Sequence, residues 1–290
     1  MEISKNNSDI ILKNVMDFNP KHTFDCGQCF RFVKTGDNEY TGVAGSKALT
    51  MAYDKNTITL FDTAEEDFNN FWTKYFDFDK DYDFIKKSIS GDECMNNAIS
   101  EGAGIRILNQ DLFETIISFI ISQSNNIPRI RKIIENLCTL CGEQIVYRNS
   151  TFYAFPKPEV LAEADISCIR AGYREKYILD TAKFISKNPQ FLTDLKMANS
   201  GTAKSMLMSL NGIGNKVSDC ILLFGLNKTD SFPVDVWMRR IMEQLYFKKK
   251  CSISEIADYA SNKFGEFSGY AQQYLFYYAL NHKSELKEEL

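Results

Sequence analysis

Two hydrophobic periods divide this chain. Over its first third, apolar residues come in short runs at Phe30–Val33, Tyr40–Ala44, Ala48–Tyr53 and Thr57–Phe61. Turn residues such as Thr35-Gly36-Asp37-Asn38 and Asp54-Lys55-Asn56 separate them. β-Branched and aromatic residues in runs of this length predict strands, and connections this short predict an antiparallel meander. An aromatic and acidic stretch from Glu65 to Asp83 follows and is expected to cover one face of the sheet. From Gly104 the period lengthens. Leu112, Ile116, Phe119 and Ile120 stand at i, i+4, i+7 and i+8, one apolar face of a helix. Further helices are expected over Pro128–Leu140, Pro158–Ala164, Arg174–Ile185, Thr202–Leu210, Asn215–Leu226, Val236–Phe247, Ser254–Phe264 and Tyr270–Asn281, with Gly, Pro or Asn in the joints. The pattern predicts an α+β chain: an antiparallel β-domain over residues 1–103, then an all-helical region over residues 104–290. The basic run Lys248-Lys249-Lys250 reads as a solvated loop.

Composition narrows the class. The 290 residues suffice for about two domains. With 44% apolar and 25% charged residues, a disordered chain is excluded. No apolar run approaches the roughly 18 residues of a membrane span, and the start lacks the basic-then-apolar layout of a secretory signal. An intracellular protein is expected. Net charge is −4, so a nucleic-acid partner would have to be held by a local basic face or by backbone groups. Of the eight cysteines, Cys26/Cys29 and Cys138/Cys141 have CxxC spacing but lie far apart, and buried reduced thiols are expected rather than a metal site. Only His22 and His282 are available for histidine chemistry.

The most informative segment runs from Leu210 to Arg240. Gly212 and Gly214 flank Ile213 between two helical patterns, a tight turn that allows positive φ and close approach of another backbone. The N–H groups opening the second helix form an anion site that needs no basic side chain. The plainer alternative is an ordinary helix–helix turn. Lys216 falls in the first turn of that helix, where the helix dipole disfavours a cation. That location is expected to lower the amine pKa, as a nucleophile requires. Cys220 is one turn further on the same face, where core packing is the alternative. Asp235, after Phe232-Pro233-Val234, is placed to cap the next helix, and a carboxylate held by helix N–H groups is also rigid enough for catalysis.

Gly-Ile-Gly-Asn-Lys-Val-Ser-Asp-Cys over 212–220, followed by Pro233-Val234-Asp235-Val236, resembles the helix-hairpin-helix DNA glycosylases that carry a catalytic lysine, specifically their 8-oxoguanine branch. Gly27-Gln28-Cys29-Phe30-Arg31 is similar to that family's entry to its first strands. Asn109-Gln110-Asp111, Ser118-Phe119-Ile120 and Asn125-Asn126-Ile127-Pro128-Arg129-Ile130 resemble its opposite-base segment. Gly172-Tyr173-Arg174 to Tyr177, and Gly269-Tyr270-Ala271-Gln272 to Phe276, resemble two further segments, all in the same order from about residue 23 to 280. The resemblance implies a two-lobed helical region and a role for each matching residue. Lys216 would attack C1′ and form a Schiff base, and Asp235 would hold the charge developing on the sugar. Gly27, Cys220, Gln272 and Phe276 would bind the flipped base. Ser124, Asn125, Arg129, Tyr173 and Arg174 would face the opposite base and the gap. Asn211, Gly212, Gly214 and Asn215 would hold phosphate. Three positions depart from the family pattern: Ser124 for asparagine, Trp237 for a phosphate-contacting histidine, and Asn211 for the hairpin proline.

The function implied is a bifunctional DNA glycosylase/AP lyase that excises 8-oxoguanine opposite cytosine. Its partner would be double-stranded DNA, with no membrane; it would be a monomer, in the cytoplasm or nucleoid of a prokaryote or the nucleus of a eukaryote. No metal or organic cofactor is implied beyond a monovalent cation at the hairpin. Three rivals remain at this stage. A monofunctional alkylated-base glycosylase would use Asp235 with water and need no lysine. A non-catalytic DNA-structure binder would need only the glycines. A metal-binding regulator would use the two CxxC pairs.

Overall fold

The computed structural model of this protein describes residues 1–284. Its N-terminal part is one antiparallel sheet of six strands: β1 (Glu2–Asn6), β2 (Asp9–Lys13), β3 (Val33–Gly36), β4 (Glu39–Ala44), β5 (Lys47–Asp54) and β6 (Thr57–Phe61), in the order β1-β2-β6-β5-β4-β3. Period-2 alternation fixes the register. Ile10 pairs with Leu60, Leu12 with Ile58 and Met51 with Leu60, and all of these side chains are buried on one face. The edge strands β1 and β3 are exposed along their length, which is why β1 shows no alternation in the sequence. The strand expected at Phe30–Val33 starts instead at Val33: Phe30 and Phe32 lie in a buried crossing segment and pack into two different cores.

Helix α1 (Pro20–Asp25) precedes that segment. After the sheet, α2 (Glu65–Asp67), a π-helical turn (Phe68–Trp72) and α3 (Thr73–Tyr75) cover its buried face, as expected for the aromatic stretch. Phe24 stacks on Phe32 at 4.2 Å and Trp72 on Phe76 at 5.6 Å. Two further helices, α4 (Tyr82–Ile89) and α5 (Glu93–Glu101), precede residue 103 yet bury Ile85, Ile89, Met95 and Ala98 in the helical core. The apolar cores therefore divide near Phe78 rather than at residue 103.

The helical region contains α6 (Leu112–Ser122), α7 (Ile127–Cys141), α8 (Pro158–Glu163), α9 (Arg174–Lys187), α10 (Gln190–Met197), α11 (Ser200–Met208), α12 (Asn215–Leu226), α13 (Val236–Ile241), α14 (Ile253–Phe264) and α15 (Ser268–Asn281). The helix expected over Val236–Phe247 changes to a π-helix at Met242. A hairpin of β7 (Gln144–Tyr147) and β8 (Ser150–Tyr153) interrupts the helical run. Tyr147 docks it on the main sheet, accepting from Thr50 N (2.9 Å) and donating to Phe61 O (2.7 Å). Arg106 locks the two parts together, donating to the Asp17 and Asp77 carbonyls while its guanidinium lies 4.4 Å from the Tyr82 ring centroid.

On α6, Glu114 lies 3.8 Å from Arg31. Burial pushes its carboxyl up to about 7; Arg31 opposes this and Asp111 adds to it. The folded protein therefore holds this proton more tightly than the unfolded chain. The stabilisation is complete below the ordinary value of 4.5 and is lost as pH rises through about 7. Glu114→Gln keeps the shape and removes the titration. Urea unfolding at pH 5.5 and at pH 8 should show wild type losing roughly 2 kcal/mol relative to this variant as pH rises. An unchanged difference would mean that Glu114 is ionised throughout.

Candidate active site

The loop between α11 and α12 is a tight hairpin. Gly212 has φ +84°, and a Cβ there would stand 2.4 Å from the Tyr177 ring, so glycine is required twice over. Asn211 donates to Asp180 Oδ2 (2.9 Å), tying the hairpin to α9 in the absence of a proline. Gly214 occupies the N-cap of α12 and offers no capping side chain. The first N–H groups of the helix, with Gly214 and Asn215 exposed, are left to an external anion.

Lys216 points from this helix start into a cavity of about 700 Å³, whose walls include Asp235, Ser124, Asn125 and Trp237. Asp235 caps α13, accepting from Met238 N at 2.7 Å, so one carboxylate oxygen fixes its position within the cleft. The Lys216 ammonium lies 5.5 Å from the Phe119 ring centroid and is hydrogen-bonded to the Cys220 sulfur. The sequence predicts a lowered amine pKa here; the structure gives the opposite direction. Burial works against the charge, but Cys220 and Asp235 together outweigh it and hold Lys216 above its ordinary value. Burial also pushes the Cys220 thiol up, and the nearby Lys216 opposes it.

Behind Lys216 the cleft narrows into an inner pocket between Gly27, Cys220, Gln272 and Phe276. Gly27 has φ +79°, and the Phe276 ring lies directly against it, 3.2 Å from where a Cβ would be. The pocket encloses only about 40 Å³, room for little more than a water. A base enters only if Phe276 swings off Gly27. Gln272 Oε1 is buried there without a hydrogen-bond partner, an acceptor aimed at an absent donor. The neighbouring Gln273 donates to Cys26 O (2.9 Å), holding the Gly27 loop against α15.

This arrangement has close relatives. The sequence model of the 8-oxoguanine DNA glycosylase N-terminal domain matches residues 10–116. That of the HhH-GPD superfamily of base excision DNA repair proteins matches residues 117–265. A probable N-glycosylase/DNA lyase of Methanothermobacter thermautotrophicus is 31% identical over 70% of this chain and 71% of its own. The Clostridium acetobutylicum 8-oxoguanine glycosylase/lyase, solved with double-stranded DNA containing cytosine opposite 8-oxoguanine, superposes with TM-score 0.94 and 38% identity, covering 98% of this chain and 99% of that one. A structure of MBOgg1 with a low-affinity DNA ligand gives TM-score 0.94 and 42% identity over 97% and 99%. The chain belongs to the HhH-GPD superfamily.

In this HhH-GPD chain the residues expected near the opposite base are only partly brought together. Ser124 and Asn125 line the cleft, Ser124 in the left-handed region (φ 46°) and Asn125 bonded to the Ile121 carbonyl (3.2 Å). Tyr173 is 56% exposed at the start of α9, and Arg129 is exposed at the start of α7. Arg174 is different. It is 4% exposed, lies 4.4 Å from the Tyr173 ring centroid, and donates to the carbonyls of Gln123, Ser124 and Ala171. Its donors are engaged within the protein, which the sequence does not reveal. Sequence reasoning also misses Phe119 as the ring beside Lys216, since it reads only as one position of an apolar helix stripe. The eight cysteines are free thiols, and among the described residues no group of three or more His, Cys, Asp or Glu could hold a metal.

The hairpin geometry generates a test. Gly212→Ala adds both left-handed strain and a clash with Tyr177, and should cost about 1–3 kcal/mol of stability in urea unfolding. Affinity for duplex DNA, read by fluorescence anisotropy, should fall as well. Unchanged affinity in the folded variant would remove the hairpin from the DNA contact.

Proposed function

We propose that this protein is a bifunctional DNA glycosylase/AP lyase that excises 8-oxoguanine opposite cytosine. One observation carries the reading. An amine and a carboxylate share a cleft, and behind them lies a narrow inner pocket between Gly27, Cys220, Phe276 and Gln272, whose side-chain oxygen is buried without a partner. A base within a duplex cannot reach these groups, so the nucleotide is flipped out, and Phe276 and Cys220 hold the base between them. Gln272 reads its pairing edge and the Gly27 carbonyl takes the N7 hydrogen that guanine lacks. The ammonium of Lys216 first gives a proton to water in the open cleft; the neutral amine then forms a bond to C1′ as the bond to the base breaks, and the base leaves with that electron pair and takes up a proton from water. The Schiff base that follows permits β-elimination of the strand. Asp235 stabilises the positive charge on the sugar, an interaction stronger in the transition state than in the ground state. The chemistry as proposed calls on no metal or organic cofactor, and a monovalent cation at the hairpin is part of the proposal. With duplex DNA as substrate, the enzyme acts inside the cell, as a monomer.

Borohydride reduction of a mixture with an 8-oxoguanine duplex should trap wild type covalently. Lys216→Gln should bind the lesion yet neither release base nor be trapped; normal turnover by it would sink the mechanism. Asp235→Asn should keep its cap and its fold while losing well over tenfold in excision rate.

Arg129 and Tyr173 are exposed and free to meet an opposite strand, whereas Arg174 would reach it only after leaving the Gln123 and Ser124 carbonyls. Mismatched donors cost roughly 1–3 kcal/mol per base pair. Wild type should therefore prefer cytosine over adenine opposite the lesion by at least tenfold. Arg129→Ala should shrink that ratio by slowing the cytosine substrate. Arg174→Ala should slow all four duplexes, because it also releases a wall of the cleft. Equal wild-type rates on the four opposite bases would refute cytosine reading.

A further inference from the structure

A second cavity, of about 300 Å³, lies between the sheet, α7 and the β7–β8 hairpin, and Lys216 is not among its walls. The crossing segment supplies Phe30 and Arg31, β4 supplies Val43, α7 supplies Arg131 and Ile134, and β8 supplies Phe152. Phe30 also lines the Lys216 cleft, so one ring is a wall of both cavities. It meets Phe119 edge-on at 5.8 Å. Nothing in the chemistry above uses this second cavity.

Two guanidinium groups border it, and neither is fully bonded among the described residues. The Arg31 side chain is 10% exposed. Its Nη2 donates to the Tyr153 carbonyl, but its Nη1 is buried without a hydrogen-bond partner and stands 3.8 Å from Glu114, beyond hydrogen-bond reach. Arg131, 26% exposed at its side chain, makes only long contacts through Nη2: 3.4 Å to the Phe24 carbonyl and 3.5 Å to Asp25. Its Nε is buried without a partner. A guanidinium carries five N–H donors, and a buried donor left without an acceptor destabilises the fold. Negative charge is short as well. Burial pushes the Glu114 carboxyl up to about 7, so below that pH it is neutral beside Arg31. Asp25 also accepts from the Tyr40 hydroxyl (3.0 Å), and Glu135, on the cavity wall, is paired with Lys132 (3.1 Å). The two arginines therefore lack a single negative charge.

We propose that this cavity binds a small monocarboxylate with an apolar body, its carboxylate between Arg31 and Arg131. The planar guanidinium fork matches the two oxygens of a carboxylate. Phe30, Val43, Ile134 and Phe152 cover the apolar part, and a volume of about 300 Å³ is at the lower end for a small-molecule site. An inorganic phosphate fits less well, because it brings excess charge and leaves the apolar walls uncovered. The rings of Phe30 and Phe119 link the site to Lys216, yet binding requires neither DNA nor the lysine chemistry.

The test is fluorine NMR of para-fluorophenylacetate titrated with the full chain, without DNA. Wild type should bind the acid with a Kd of about 1 mM or tighter. The neutral isostere para-fluorophenylacetamide should bind at least tenfold more weakly. Unlabelled phenylacetate should displace the probe at lower concentration than inorganic phosphate does. Arg131→Met keeps the apolar stem and removes the charge; it should weaken binding at least tenfold, with a thermal melt to establish folding. Arg131→Lys keeps the charge without the fork and should lose less. Adding a duplex with a tetrahydrofuran abasic analogue should leave the acid bound. Absence of binding in wild type, equal binding of acid and amide, or undiminished binding by folded Arg131→Met would overturn the proposal. Displacement by the duplex would also overturn it, by placing the acid in the Lys216 cleft. Stronger competition by phosphate than by phenylacetate would overturn the carboxylate assignment. Should Arg131→Met not fold, the amide, phosphate and duplex arms on wild type still decide.

Discussion

A single buried amide holds the site in register. Gln28 is fully buried, and a polar group so placed must find partners or destabilise the fold. Its Nε2 donates to the carbonyls of Thr23 (3.0 Å) and Arg106 (2.7 Å), its Oε1 accepts from Leu108 N (2.9 Å), and its own carbonyl accepts from Gln110 Nε2 (2.8 Å). These bonds clamp the Cys26–Cys29 loop to the segment that enters the helical region. Gly27, the next residue back, is thereby pressed against Phe276 of the last helix. The inner pocket is thus made where two cores meet, with Cys29 in one and Cys26 and Phe30 in the other. Movement at this junction would change the width of the pocket before it changed anything else.

Charge is handled locally rather than globally. In a chain of net charge −4, uncapped helix N–H groups at Gly214 and the cations Lys216 and Arg239 lie along one cleft. Lys216 is held as an ammonium, its surroundings outweighing the burial that works against the charge. Asp235, across the same cleft, also caps α13 and so sets the direction of the helix carrying Trp237. The cation–π contact with Phe119 further restricts the Lys216 amine, and that ring in turn stacks at 5.5 Å on Phe224.

The opposite-base side is built around strain. Ser124 adopts a left-handed conformation without being glycine, and Arg174 holds that turn by donating to Gln123 and Ser124. A guanidinium that binds its own backbone competes with a cytosine for the same donors. Any ligand that engaged Arg174 would therefore have to release the turn that lines the cleft.

The α+β class, the meander of β4, β5 and β6, most helices, and the lysine–carboxylate pair at two helix starts are all legible in the amino-acid order. These features are local: alternation, a 3.6-residue period, glycine at positive φ, and capping residues leave their mark within a few positions. Strand β1 is not legible, because its residues are all exposed, nor is the β7–β8 hairpin, which Tyr147 anchors to strands about ninety residues away in sequence. Helices α4 and α5 are not singled out by the amino-acid order; both are amphipathic, and nothing local says that the helical core covers their apolar faces. The charge on Lys216, the engagement of Arg174 and the closed pocket under Phe276 emerge from the folded chain alone. Each depends on which side chains from distant segments share a small desolvated volume. There, electrostatic and hydrogen-bond energies are set by distance and burial, not by spacing along the chain.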